Sequence, residues 1–151
     1  MPRNILGMTL TLLIGIAPMA WVPGIVHSAN ARHSTGEGVF SDAQSMRGRS
    51  AYLENCSVGC HGPTLTGGDR APSLAGDAFI ARWKGLTVDA LFQRVRSTMP
   101  QGRPGSLRDA TYIDIIAFLL DANGFPSAAG ELVADSALLG QIIISDPSTS
   151  N

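Results

Sequence analysis

Apolar residues fall at helical spacing in several stretches of the chain, and each stretch is bracketed by residues that start or stop a helix. Ser41 is placed to cap the first, with Gln44 three residues on as the return arm of a capping box, and the helix is expected from about Asp42 to Asn55. Gly48 and Tyr52 lie one turn apart on one face of it. A glycine inside a helix costs about 1 kcal/mol, so close approach of another helix is the expected compensation. Met46, in mid-helix, is expected to fill core. A short helix is expected over Asp77 to Trp83. Thr87 caps the next, in which Val88, Leu91, Phe92 and Val95 stand at i, i+3, i+4 and i+7, while Gln93, Arg94, Arg96 and Ser97 fall elsewhere on the wheel. It stops at Met99-Pro100, because a residue before proline is pushed out of helical geometry. QGRPGS then makes an extended turn.

The last long helix is expected to be capped by Ser106, with Asp109 in its first turn and Asn123-Gly124 as its stop. Its apolar positions are Tyr112, Ile113, Ile115, Ile116, Ala117, Leu119 and Leu120. They leave a polar stripe of only Thr111, Asp114 and Asp121, which implies packing on more than one side. Phe118 interrupts that stripe and calls for cover from the chain's tail or from a partner. The tail, ELVADSALLGQIIIS, is expected to lay its Leu and Ile residues over the core. Between the first two helices runs GPTLTGGDRAPSLAG, dense in glycine and proline. A loop that long in a small domain is usually functional or wrapped on something.

Length and composition change this picture little. A chain of 151 residues, 44% hydrophobic and 6% aromatic, is one ordinary globular domain's worth. The N-terminus changes it more. Arg3 followed by ILGMTLTLLIGIAPMAWVPGIV has the charged start and apolar centre of a secretory leader. Cleavage is expected after Ala31, with Val26-His27-Ser28 as a second choice. Residues 1–31 are thus read as a signal peptide, 32–40 as a polar tail holding a solvated His33, 41–145 as the domain and 146–151 as a C-terminal tail. Ile5 to Val26 is long enough to span a bilayer if retained, so a membrane enters only with an uncleaved leader. The body is expected to be soluble and outside the cytoplasm. Losing the leader removes one basic residue from a formal net charge of −1. That balance argues against nucleic acid as a partner.

The chemistry is concentrated in Cys56 to His61, CSVGCH. Two cysteines running into a histidine are the elements of a covalent haem site, although the usual signature separates the cysteines by two residues and here three intervene. On a helix, i and i+3 differ by about 300° and i and i+4 by about 40°, so both spacings leave the sulfurs on one side. Gly59 allows the backbone to leave ideal helix where the extra residue must be absorbed. The hexapeptide alone also fits a local Cys56–Cys60 disulfide or part of a zinc site, which normally needs four ligands. If His61 holds an iron, Met99 is the candidate sixth ligand, because a thioether is a common partner of histidine.

Taken in order, the helix with Gly48 and Tyr52, CSVGCH, the loop with Ala71-Pro72-Ser73-Leu74, Thr98-Met99-Pro100 and the terminal helix resemble the class I monohaem c-type cytochromes over Val39 to Ile144. VFSDAQSMRGRSAYLENC, STMP, PGSL and DIIAFLLDANGFP are similar to the small cytochromes associated with quinoprotein, PQQ-dependent, dehydrogenases. The resemblance implies an all-α class I cytochrome c fold, three main helices around one haem with long Gly/Pro-rich loops. It implies Cys56 and Cys60 as thioether sites of one covalent haem c, with His61 and Met99 as the iron ligands. Pro72 matches the family proline whose carbonyl accepts from the proximal histidine. Arg70 and Trp83 are candidates for contact with a haem propionate, core packing being the equal alternative for Trp83. Gly48 and Tyr52 are expected to meet the last helix at Tyr112 or Ile116.

The inserted residue departs from the family pattern and bears on how many thioether bonds form. The function so implied is a periplasmic electron carrier, not an enzyme, passing electrons from a dehydrogenase toward a terminal oxidase or another cytochrome. A tightly bound cytochrome subunit of a quinoprotein dehydrogenase is the alternative. A ligand-binding or peroxidatic haem protein is a third, should Met99 not ligate.

Overall fold

The computed structural model describes residues 33–147; the leader, its cleavage site and the last four residues lie outside them. The fold is all-α, as the resemblance implied. Helix α1 (Asp42–Tyr52) runs directly into a widened π-type segment, Leu53–His61, and is followed by α2 (Asp77–Trp83), α3 (Val88–Thr98), α4 (Asp109–Ala122) and the single turn α5 (Ser136–Leu139). Strand β1 (His33–Ser34) pairs in parallel with β2 (Ile142–Ile143). Among the described residues no helix is long and apolar enough to cross a membrane.

Ser41 caps α1 as expected, its hydroxyl accepting from the Gln44 amide at 3.1 Å. The side chain of Gln44 does not complete a capping box. It is 1% exposed, and its amide donates to the Leu132 carbonyl at 2.8 Å and accepts from the Leu132 N–H at 2.9 Å. A buried amide needs both partners, and the backbone of one tail residue, Leu132, supplies them. Met46 is a second correction: it is 66% exposed. The inward face of α1 is taken by Gln44, Ser45, Gly48 and Tyr52, and Met46 stands about 200° from both Gln44 and Gly48 on the wheel.

Gly48 makes the crossing with α4. A Cβ there would overlap the Asp114 carbonyl oxygen and press on the Phe118 Cβ, so the two backbones meet where a side chain has been left out. One turn on, the rings of Tyr52 and Phe118 pack with centroids 5.3 Å apart. The crossing at Gly48 therefore falls at Asp114 and Phe118 rather than at Tyr112 or Ile116, and α1 supplies cover for Phe118. Helix α4 also starts differently from expectation. Arg108 is its N-cap, without a side-chain bond, while the Ser106 amide is used inside the preceding turn, donating to Arg103 O at 3.2 Å.

The polar stretch before Ser41 is tied to the body. Thr35 is fully buried, and its hydroxyl bonds Ser145 Oγ at 3.1 Å and accepts from Ser145 N at 3.0 Å. His33 is exposed, as expected, with Nδ1 3.4 Å from Glu37. The tail buries Leu132, Leu139 and Ile144 against the core.

Asn123 joins the end of α4 to the loop that precedes α2. Its Oδ1 accepts from Gly76 N at 2.9 Å, and its Nδ2 donates to Leu74 O at 3.0 Å and Leu119 O at 2.7 Å. Asn123→Ala removes these three bonds, leaving Gly76 N and Leu74 O in partly buried positions while Leu119 O keeps the Asn123 N–H, and is expected to cost about 1–2 kcal/mol. The midpoint of urea unfolding should fall with the slope unchanged.

Candidate cofactor site

The segment Leu53–His61 places three reactive side chains and absorbs one extra residue while doing so. Helical dihedrals fail at Val58 (φ −67°, ψ 118°) and Gly59 (φ 71°, ψ 0°). The left-handed φ at Gly59 is the one that favours glycine. A Cβ there would meet nothing within 4 Å, so conformation rather than space asks for the small residue. The extra residue leaves as an outward bulge with Val58 84% exposed. Cys56, Cys60 and His61 all line a single cavity. Both cysteines are free thiols, so no local disulfide forms. A zinc site has no ligand set either: among the described residues no group of three or more His, Cys, Asp and Glu side chains converges.

The cavity measures about 410 Å³ and has apolar walls that include Phe79, Leu91, Ile115 and Leu119. His61 is 6% exposed, and its Nδ1 lies 3.0 Å from the Pro72 carbonyl oxygen. A carbonyl can only accept, so Nδ1 carries the proton and Nε2 keeps a free lone pair. The loop carrying Pro72 is held in place by its own backbone. Gly67 N donates to His61 O at 2.9 Å, Leu74 N to Leu65 O at 2.8 Å, and the Tyr52 hydroxyl to Gly62 O at 2.6 Å.

Met99 reaches the same cavity from the end of α3, where Thr87 caps the start as expected and Met99 N closes the last turn on Val95 O at 2.8 Å. Its carbonyl accepts from the Tyr112 hydroxyl at 2.7 Å.

Arg70 and Trp83 line the cavity too. Sequence reasoning missed Arg82, Arg94 and Arg103, which share the lining with them. None of these four arginines is in an ion pair among the described residues, and no acidic side chain lines the cavity. A signal for two of them was present. Phe79, Arg82 and Trp83 stand at i, i+3 and i+4, and Leu91, Arg94, Val95 and Thr98 at i, i+3, i+4 and i+7. Each arginine thus shares a helix face with cavity residues.

Burial pushes the Cys56 thiol up to about 11, with the neighbouring Cys60 charge adding to it. The Tyr52 hydroxyl is pushed up to about 12, by burial first and by the Cys56 charge second. Both groups are therefore neutral donors at neutral pH. A haem c site needs two thiols, an imidazole with a free Nε2, a second axial donor and an apolar enclosure. This cavity supplies each from the chain, so the residues present fit the group. A wider recess of about 640 Å³ beside α2, lined by Asp77, Ile80, Ala81, Lys84 and Gly85, holds no thiol, imidazole or thioether.

Fold and cavity together define a c-type cytochrome domain. A family model described as cytochrome C oxidase, cbb3-type, subunit III matches residues 43–119, half of the chain, and the chain belongs to that family. Its c-type cytochrome domains bind covalently attached haem c and serve haem-based electron transfer. No curated protein and no solved structure gives a significant match.

Proposed function

We propose that this protein is a periplasmic electron carrier holding one haem c through Cys56 and Cys60, with His61 and Met99 as the axial ligands, and that it takes electrons from a dehydrogenase and passes them to a terminal oxidase or another cytochrome. One observation carries the reading: two free thiols, an imidazole held by its Nδ1 and a thioether line a single apolar cavity. When bound, haem c supplies the one-electron couple at iron.

The chain's own residues do the rest. Pro72 holds the His61 ring at one orientation and one tautomer, which raises its basicity as a ligand. Phe79, Leu91, Ile115 and Leu119 exclude water, so little solvent has to rearrange when charge changes inside. Arg70 and Trp83, with the three further arginines, put positive charge and an aromatic edge beside the site for propionates and for approaching partners.

The leader-like start of the sequence supports export. The narrower likeness to cytochromes of quinoprotein dehydrogenases supports such an enzyme upstream, and a family description that names an oxidase subunit supports an oxidase downstream. The same likeness leaves permanent association with the dehydrogenase as an arrangement of this function, to be read from copurification at fixed stoichiometry.

The test is a pyridine haemochrome spectrum after acid-acetone extraction, with intact mass, on protein expressed alongside haem attachment machinery. Colour that stays with the chain and one added haem mass are expected, and the band position separates two thioether bonds from one. Colour that extracts, or never forms, would overturn the proposal.

A further inference from the structure

The turn that follows Met99 is clamped at both ends by one hydroxyl. Tyr112 is 1% exposed and lies in the first turns of α4. Its hydroxyl donates to the Met99 carbonyl at 2.7 Å and accepts from the Leu107 amide at 3.4 Å. Within the turn the backbone bonds are local, Arg103 N to Pro100 O at 2.9 Å and Ser106 N to Arg103 O at 3.2 Å. These tighten the turn on itself but do not anchor it to the core. The chain from Gln101 to Ser106 is exposed throughout. Tyr112 therefore joins the cavity end of α3 to the start of α4.

We infer that Tyr112 is a positioning residue for Met99: its hydroxyl fixes the Met99 backbone and thereby keeps the thioether turned into the cavity. The inference rests on the reading of Met99 as the distal ligand. Physically, a thioether is a weak, neutral ligand, and its hold on a metal is set as much by how little freedom the side chain regains on leaving as by the bond itself. A backbone fixed on both sides of the turn leaves that side chain few other places. The ring of Tyr112 fills core, and only its hydroxyl makes the clamp, so the two roles can be separated by removing one oxygen.

The experiment compares the holoprotein with its Tyr112→Phe and Gln44→Leu variants. Gln44 makes its two hydrogen bonds to Leu132 and does not line the cavity, so Gln44→Leu controls for a general loss of stability. Three readouts are taken: the thioether-to-ferric-iron charge-transfer band, the rate of carbon monoxide binding to the reduced protein, and hydrogen exchange at the Leu107 amide. In Tyr112→Phe, carbon monoxide should bind about fivefold faster, the weight of one lost hydrogen bond on an open–closed equilibrium. The band should weaken with temperature earlier than in the parent, and the Leu107 amide should exchange faster. Gln44→Leu should move none of the three.

Equal changes in both variants, or a Tyr112→Phe protein matching the parent, would overturn the clamp while leaving Met99 as ligand. A parent protein that lacks the band and binds carbon monoxide at once would remove the ligand reading itself, and the clamp with it.

Discussion

Met99→Ala is expected to lower the reduction potential by on the order of 0.1–0.3 V, a fraction of the ~0.8 V range that axial ligands span, and to open the reduced protein to carbon monoxide. Met99 lines the cavity on the same rim as Thr98, Pro100 and Gln101, and among the described residues no second methionine lines it. Met46 is 66% exposed on the outer side of α1. A neutral, polarizable sulfur favours the reduced iron over the oxidised one, so its removal favours oxidation. At about 59 mV per tenfold for one electron, 0.2 V is more than a thousandfold change in the balance of the two states. Potentiometric titration reads the first effect and flash or stopped-flow carbon monoxide binding the second. Met46→Ala is the control and should change neither. A Met99→Ala protein that keeps its potential would show that the sixth position is filled by something else.

Gly48→Val should cost about 3 kcal/mol or more, the upper part of the range for overpacking. The obstacle to the new side chain is backbone, the Asp114 carbonyl, together with the Phe118 Cβ, and neither can turn aside as a flexible side chain can. Relief requires α1 and α4 to separate, which also parts Tyr52 from Phe118. For a domain with a typical stability of about 5–15 kcal/mol this is a large share, and the thermal midpoint should fall by roughly 10 °C or more. Gly48→Ala already brings the Cβ collision and should show most of the loss. Gly130→Ala, where a Cβ meets nothing within 4 Å, is the control and should melt with the parent.

The damage should also reach the cofactor site. Tyr52 lines the cavity and its hydroxyl holds Gly62 O at 2.6 Å, so displacing α1 disturbs the segment that carries Cys56, Cys60 and His61. A melted crossing should therefore lower haem incorporation during expression, measured as the ratio of haem absorbance to protein.

Several of the expectations that held have partners near in sequence. Ser41 and Thr87 cap α1 and α3 through bonds three residues long. The start and end of α2, the stop of α3 before Pro100 and the stop of α4 at Asn123-Gly124 all follow from local backbone preference. Gly59 absorbs the inserted residue by its own φ. The His61–Pro72 bond was anticipated only through the family resemblance, which carries tertiary information from outside this chain.

Most of the expectations that failed turned on a partner far away. Gln44 satisfies three-residue spacing for a capping box, yet its amide is taken by Leu132, because burial makes a two-point bond to one residue's backbone worth more than a single bond at an exposed cap. Ser106 has a capping side chain, but the turn uses its backbone and α4 begins later, at Asp109 with Arg108 as its N-cap. Met46 has an apolar side chain, and the wheel alone cannot say which of two flanks faces inward until the neighbour helix is in place. Phe118 looked uncovered because its cover, Tyr52, is 66 positions away. By itself, then, the sequence determined where α2 and α3 begin and end, where α1 starts and α4 stops, which six residues carry the thiols and the imidazole, and which methionine stands at a helix end. Only the tertiary structure decided that these groups line one apolar cavity, that four arginines share its lining, and that Tyr112 clamps the Met99 turn. Such contacts depend on which helix faces meet, and that is settled by close packing among residues tens of positions apart.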